Sequence, residues 1–420
     1  MTLKFLDVFA GASGLSEGFV QAGFKAVAHV EMDQAACYTI KTRLAYHWLA
    51  SQNKIKTYDA YLNDEISREE LYSKIPKKII NTVLNDEISE ETLPHIFSKI
   101  DQCLLNDKLD LIIGGPPCQA YSLVGRSRDS NGMKADKRNY LYLHYAKFLE
   151  KYKPRYFVFE NVLGLLSAKD DSGELYFNKM LNLFKQNGYT TKHKVMNASN
   201  YGVPQSRKRV ILIGKLNSES DFDPFPEKNK QKTSSSDVLS DLPKLNSGKG
   251  SIKPQELKPI SKDSFLIKSG IRDIEAKKIT WHLTRPHAER DLEIYKIATN
   301  LWNISNKRLK YDNLPRHLKT HKNESSFLDR FKVVALQQPS HTVVAHISKD
   351  GHYYIHPDSN QNRSLSVREA ARLQTFPDTF HFESVTSKPS RTAAFKQIGN
   401  AVPVLLAKSI AFKLKEIITT

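Results

Sequence analysis

The sequence predicts an α/β fold: a parallel sheet covered by helices on both faces, joined to a smaller domain of irregular structure. Three observations predict it. Short apolar runs alternate with segments of helical spacing through the first 215 residues. Several of those runs end abruptly in small or polar residues. The rhythm stops near residue 216, where Ser, Lys, Asp and Pro become frequent.

The elements follow in order. "LKFLDVFAG" is a strand ending in small residues, and "LSEGFVQAGF" has helical spacing. "KAVAHVEMD" is a second strand, followed by the helix-like "QAACYTIKTRLAYHWLA". "KLDLIIGG" and "RYFVFENV" are buried-strand patterns with the helix "YLYLHYAKFLEKY" between them, and "RVILIG" is a further strand. In such folds ligands sit outside the carboxyl ends of the strands. "FAG", "EMD", "GGPPCQ" and "FENV" each directly follow an apolar run, so four polar signatures converge on one edge of one sheet. Residues 51–107 interrupt the rhythm and hold a near-repeat, "LNDEIS" at 62–67 and 84–89, read as two similar local elements with no assigned function. The organisation expected is a catalytic unit over 1–220, a second domain over 221–365 and a C-terminal segment, 366–420, whose last helix packs back on the sheet.

Composition narrows the function classes. A hydrophobic share of 40% and a charged share of 26% are ordinary for a globular protein. The formal net charge of +18 is not, and it is spread along the chain. A basic folded surface favours a polyanion, nucleic acid first and an anionic membrane second. Three cysteines (Cys37, Cys103 and Cys118) give neither a disulfide framework nor a C-x-x-C zinc spacing, which fits a reducing compartment. The five histidines His282, His287, His317, His321 and His341 lack compact ligand spacing, so no metal is expected. No run approaches a membrane span and no secretory leader is read at the start, so a cytoplasmic, nucleoid-associated protein is expected.

In "GGPPCQAYS" (114–122), two glycines and two prolines precede Cys118 on what should be a stiffened loop. A packed cysteine needs neither, whereas a thiolate nucleophile needs partial exposure and a nearby base. Glu160 ends an apolar strand, where partial desolvation suits a carboxyl that holds and donates a proton. Arg207 and Arg209 in "QSRKR" alternate on an extended chain and so face one side, where both can meet one anionic or carbonyl-bearing ligand. In "DVFAGASGLSEGF" (7–19), small residues between strand and helix let backbone approach a ligand, without the spacing of the dinucleotide G-x-G-x-x-G. Glu31 ends the next strand, where a carboxylate can accept from ribose hydroxyls.

Taken in order, "FAGASG", "EMD", "GGPPCQAYS", "FENVLGL", "QSRKRVILIG", "REAARLQTFPD" and "QIGNAVP" resemble the ordered motifs of the DNA (cytosine-5) methyltransferases of restriction–modification type. The resemblance covers roughly residues 1–215 and 360–415 and leaves the middle unmatched. It implies an S-adenosylmethionine-dependent, Rossmann-like methyltransferase domain with a mixed, mostly parallel sheet, and a smaller target-recognition domain. It further implies that Cys118 adds to carbon 6 of a flipped-out cytosine while Glu160 protonates or hydrogen-bonds nitrogen 3. Arg209 would hold the cytosine carbonyl oxygen with Arg207 in support, although sequence order alone does not rank the two. Gln119, Ser122, Arg126 and Arg128 match the loop that closes over substrate and DNA.

For S-adenosylmethionine, Phe9, Gly11, Ser13, Gly14 and Leu15 match the methionine-binding turn, Glu31 the ribose ligand and Met32 the adenine-packing position. Pro116 matches the wall beside the methyl group, and Leu141 and Asn400 further contacts. Ser13 stands where the family often has glycine. Asp86 is the choice for the adenine amine, with Asp64 and Asp101 as alternatives. The implied partner is double-stranded DNA, bound by a monomer that pairs functionally with a cognate restriction endonuclease. A tRNA-modifying relative would usually carry a "CFT" tripeptide, absent here. A non-catalytic relative would not be expected to keep Cys118, Glu160, Arg207 and Arg209, and a nucleotide-dependent oxidoreductase explains neither "PPCQ" nor "QSRKR".

Overall fold

The computed structural model of the chain describes residues 2–105, 107–117, 140–217, 222–320 and 328–419. Cys118, Gln119, Ser122, Arg126 and Arg128 lie outside the described residues. Eight strands organise the first half: β1 (Lys4–Val8), β2 (Lys25–Glu31), β3 (Val83–Asn85), β4 (Leu111–Gly114), β5 (Tyr156–Asn161), β6 (Tyr189–Asn197), β7 (Gln205–Ser206) and β8 (Lys208–Leu216). Seven of them form one sheet in the order β3-β2-β1-β4-β5-β8-β6. The first five are parallel neighbours. β8 runs antiparallel to both β5 and β6, so it alone is reversed within the sheet. The mostly parallel, mixed sheet expected from the sequence is the one observed.

The apolar runs make these strands because both faces are covered. β4, "LIIG", is buried throughout. On one face Phe5, Leu111, Ile113 and Val158 pack with Leu15, Phe19 and Leu414 beneath the helices Gly14–Gln21 and Val404–Thr419. On the other, Leu6, Val8, Ile112 and Phe157 pack with Ile96, Tyr145 and Phe184 from the helices Leu93–Leu104, Leu141–Tyr152 and Tyr176–Gln186. The strand order reverses between β1 and β4, which is where open α/β sheets bind ligands.

Residues 55–80 fold into three short helices, Ile55–Leu62, Arg68–Ser73 and Lys77–Ile80. They pack on the Gln34–Ser51 helix through Ala45, Leu49, Tyr58, Leu71 and Ile75. The two "LNDEIS" copies are not similar elements. The first ends a helix, and its Ser67 caps the next in a reciprocal box with Glu70. The second spans the end of β3, and its Asn85 reaches the carbonyls of Glu31 (3.2 Å) and Met32 (3.0 Å). The difference lies in the neighbours: β2 offers Val83–Asn85 a ladder partner, whereas residues 62–67 lie in the helical bracket.

Beyond β8 the chain has few regular elements and holds together through buried polar groups. Arg372 ion-pairs with Asp378 at 2.6 Å and with Asp241, which also takes Arg272 at 2.6 Å. Arg363 clasps Glu369 through two 2.7 Å bonds. One hydrophobic cluster includes Val238, Trp281, Val343, Leu373 and Val404, and also Ala12 from the turn after β1. A separate one joins Ile294, Tyr295, Leu309, Tyr311 and Phe331.

A Cβ on Gly18 would sit 2.5 Å from the Ala407 Cβ and 2.7 Å from the Val404 carbonyl oxygen, so the two helices touch backbone to backbone. Gly18→Ala should cost about 1–3 kcal/mol in urea unfolding. Asp7 is fully buried in β1 with no hydrogen-bond partner for either oxygen among the described residues. Burial, and then the Glu31 carboxylate, push its pKa well up. An acid whose folded pKa is raised binds more protons folded than unfolded, so its contribution to stability falls as pH rises above the unfolded value. Asp7→Asn should therefore gain on the wild type progressively as unfolding is repeated at pH 5, 6, 7 and 8 (about one-unit steps); a constant difference would refute the burial of an acid there.

Candidate active site

The site assembles at the carboxyl ends of β1, β2, β4 and β5. After β1 the chain turns through three left-handed residues, Phe9 (φ 59°), Gly11 (55°) and Ser13 (65°). For Phe9 and Ser13 this is a backbone state that needs outside support. The Ala10 amide donates to the Val30 carbonyl (3.1 Å) and the Ser13 amide to the Ala10 carbonyl (2.9 Å). The Gly11 amide donates to Glu31 Oε2 at 2.8 Å, while Glu31 Oε1 accepts from the Asp33 amide at 2.8 Å. Glu31 therefore couples the turn after β1 to the turn after β2. Burial raises its pKa against the opposing pull of these amides.

The glycines of this turn separate by surroundings. Among the described residues, a Cβ on Gly11 would meet nothing within 4 Å. Gly14 is pressed against the Val402 carbonyl, with Phe376 at 3.4 Å. Leu15 is a core residue below the turn. Beside the opening, Met32 is 59% exposed, an unusual placing for a methionine next to a buried strand end. Asn85 fixes the Met32 carbonyl, and Asp86 follows it, 3.2 Å from Lys99. Asp64 lies instead on the helical bracket, 2.8 Å from Lys253, and Asp101 on the Leu93–Leu104 helix, 2.8 Å from Lys151. Leu141 opens its helix half-buried, and Asn400 ends the Arg391–Asn400 helix exposed. An opening with a free glycine face, a carboxylate beside it and an exposed thioether fits a nucleoside-bearing, positively charged methyl donor.

The two glycines before Cys118 also have distinct reasons. A side chain on Gly114 would strike the Val8 carbonyl of the neighbouring strand, and one on Gly115 the backbone of Glu160. The segment leading to Cys118 thus runs in backbone contact with the residue proposed as its partner. Pro116 is buried, and its carbonyl accepts from Asn161 Nδ2 at 3.3 Å. Glu160 and Arg209 form an ion pair, Arg209 Nε to Glu160 Oε1 at 2.9 Å, with side chains 15% and 12% exposed.

Arg207 does not join them. It lies between β7 and β8, fully buried, and donates to the carbonyls of Val343 (2.6 Å) and Gly399 (3.2 Å). The expectation that both arginines meet one ligand fails because strand alternation does not run through the break at 207. Sequence reasoning also missed the buried amides that brace this corner. Gln205 accepts from the Val343 amide (2.8 Å) and donates to the Leu373 carbonyl and to Gln374. Gln374 in turn donates to the Ile398 carbonyl at 2.7 Å. Their glutamines stood inside the quoted motifs, but nothing local marked them as partners.

Comparison with known proteins identifies the family. The family description "C-5 cytosine-specific DNA methylase" matches residues 3–61 and 73–416, omitting part of the helical bracket. The type II methyltransferase M.Bpa9945I of Bacillus paralicheniformis is 42% identical, with 98% of each chain aligned. M.DdeI of Desulfomicrobium norvegicum is 30% identical over 98% of this chain and 88% of its own. Among solved structures, a candidate DNA modification methyltransferase encoded within an E. coli prophage superposes over the whole of both chains with a TM-score of 0.63 at 22% identity. The Entamoeba histolytica methyltransferase EhMeth does so over 99% of each with 0.53 at 13%. These two speak to the fold alone. With a family match spanning nearly its full length and a relative 42% identical over 98% of it, the chain belongs to the C-5 cytosine-specific DNA methylases.

Proposed function

We propose that the protein transfers a methyl group from S-adenosylmethionine to carbon 5 of a flipped-out cytosine at a specific sequence in double-stranded DNA, through a transient bond between Cys118 and carbon 6. The observation that carries this reading is the Glu160–Arg209 pair, set against Gly115 at the root of the segment that leads to Cys118.

Cytosine in a duplex shields carbon 6, so the base must leave the stack at a cost of a few kcal/mol. Cys118, as thiolate, adds to carbon 6. The ring is a poor electrophile, and Glu160 offsets this by holding a proton at nitrogen 3. Arg209 keeps Glu160 in place through Nε, donates from Nη1 to the Lys208 carbonyl at 2.8 Å, and would offer Nη2 to the carbonyl oxygen of the base. The addition makes carbon 5 nucleophilic. S-adenosylmethionine, when bound, supplies the electrophilic methyl group. Loss of the carbon-5 proton then restores the ring and expels the Cys118 sulfur. Arg207, held by two carbonyls, is a positioning residue.

The opening at β1 and β2 would hold the methyl donor: Gly11 lets it approach the backbone, Glu31 receives the ribose hydroxyls, Met32 covers the adenine, and Asp86 stands nearest for the amine. Phe9, Ser13, Gly14, Leu15, Pro116, Leu141 and Asn400 complete the walls. Gln119, Ser122, Arg126 and Arg128 are assigned to the substrate and DNA side. A cognate restriction endonuclease and a monomeric, nucleoid-associated state belong to the same reading. No helix among the described residues is long and apolar enough to cross a membrane.

A duplex carrying 5-fluorocytosine at the target should trap a covalent adduct that peptide mapping locates at Cys118, and Cys118→Ser should abolish it; an adduct elsewhere would overturn the mechanism. Glu160→Gln should lower kcat by about 100-fold or more while donor binding stays near the wild type. Gly11→Ala should weaken donor binding roughly tenfold, yet cost only ~1 kcal/mol of stability because its Cβ enters open space. Titration calorimetry and urea unfolding separate the two effects.

A further inference from the structure

The part of the helical bracket that the family match omits, residues 62–72, begins with the first "LNDEIS". Its Ser67 starts the Arg68–Ser73 helix, and Arg68 is buried. The Arg68 guanidinium lies on the Tyr38 ring at 3.8 Å and faces the buried Glu383 carboxylate at 3.6 Å. Nη1 donates to the Ser384 carbonyl at 2.8 Å and Nη2 to that of Val385 at 3.3 Å. A guanidinium taken out of water is costly unless its donors are used. These two are used on a stretch that begins 316 residues further along the chain.

That stretch leads into the Arg391–Asn400 helix, and residues 374–390 ahead of the helix form no regular element. Gln397 of the helix donates to the Glu383 carbonyl at 2.8 Å and accepts from the Thr39 hydroxyl at 2.6 Å. The Thr39 oxygen accepts in turn from the Glu383 amide at 2.8 Å. Thr39, Glu383 and Gln397 are all buried. One residue before Gln397, Lys396 pairs with Asp33 at 2.8 Å, and the Asp33 amide donates to Glu31. Just past the helix, Ala401 and the Val402 carbonyl lie against Gly14. The helix and the residues after it therefore touch both turns to which the methyl donor is assigned.

We propose that Arg68 is a positioning residue for the methyl donor: by fastening residues 384 and 385 it sets the Arg391–Asn400 helix against the Gln34–Ser51 helix, and with it one side of the donor opening. This rests on the assignment of S-adenosylmethionine to that opening.

The test is titration calorimetry of S-adenosylmethionine on the full-length enzyme, beside turnover with a methylatable duplex. Arg68→Met should raise Kd and KM for the donor roughly three- to tenfold while kcat and KM for DNA change by less than about twofold. A role in folding alone would lower the unfolding midpoint and the active fraction and leave the donor's KM where it is. Arg68→Lys keeps a charge beside Glu383 but serves one carbonyl instead of two, so its donor Kd should fall between the others. Lys74→Gln, exposed at the end of the same helix, should match the wild type. Should Arg68→Met fail to fold, Arg68→Lys and Gln397→Met form a double-mutant cycle on donor Kd, in which the two losses should be less than additive. Donor Kd equal to the wild type in both Arg68 variants would overturn the proposal, as would strict additivity in the cycle or an equal loss in Lys74→Gln. A wild type that binds no S-adenosylmethionine would refute the donor site itself; one that binds it beside unaffected variants would refute the role of Arg68 alone.

Discussion

The corner around Arg207 is the constraint on which the site depends. A guanidinium taken out of water costs several kcal/mol unless its donors are used. Here two of them meet carbonyls from positions 343 and 399, so one side chain ties its own stretch to two others that lie 136 and 192 residues further along the chain. Gln205 and Gln374 extend the knot to residues 373 and 398. With 207 committed inward, the strand restarts at Lys208, and Arg209 reaches Glu160 across the β5–β8 junction. The Glu160–Arg209 ion pair therefore stands beside a corner fixed by a residue that does not touch it.

Glycines divide the same labour. Gly14 and Gly18 are absent side chains for packing, since the backbones of Val402, Val404 and Lys408 occupy that space. Gly114 and Gly115 let β4 emerge between Val8 and Glu160 without a clash. Gly11 differs, because among the described residues nothing fills the space its Cβ would take. It carries a left-handed backbone at the switch point of the sheet.

Most of the sheet was legible because a buried parallel strand must be apolar throughout, and "LDLII" or "YFVFEN" admits few other readings. The convergence of "FAG", "EMD", "PPCQ" and "FENV" was legible for the same reason: the loops that follow such strands share one edge. What the sequence did not yield were properties set by distant neighbours. Two identical hexapeptides part ways because one finds β2 and the other a helix. Arg207 and Arg209, equivalent by spacing, are separated by a break in the strand that spacing cannot register. Cation–aromatic pairs such as Arg330 with Tyr311 span nineteen residues with no periodic signal.

The irregular half poses a last question: how does a region with few ladders hold a surface at a fixed angle to the sheet? Buried ion pairs contribute little net stability, since desolvation consumes most of their attraction. They do settle which groups stand together. Arg372 joins Asp241 to Asp378, and Arg368 donates to carbonyls at 280, 377 and 380. From the sheet side, Thr42 and Tyr61 converge on Glu383 at 2.6 Å each, and Arg68 holds the carbonyl of Ser384. The helical bracket thus grips the same segment that the arginine network fixes from the other side. Residues 378–384 are thereby fixed from both sides without a regular scaffold.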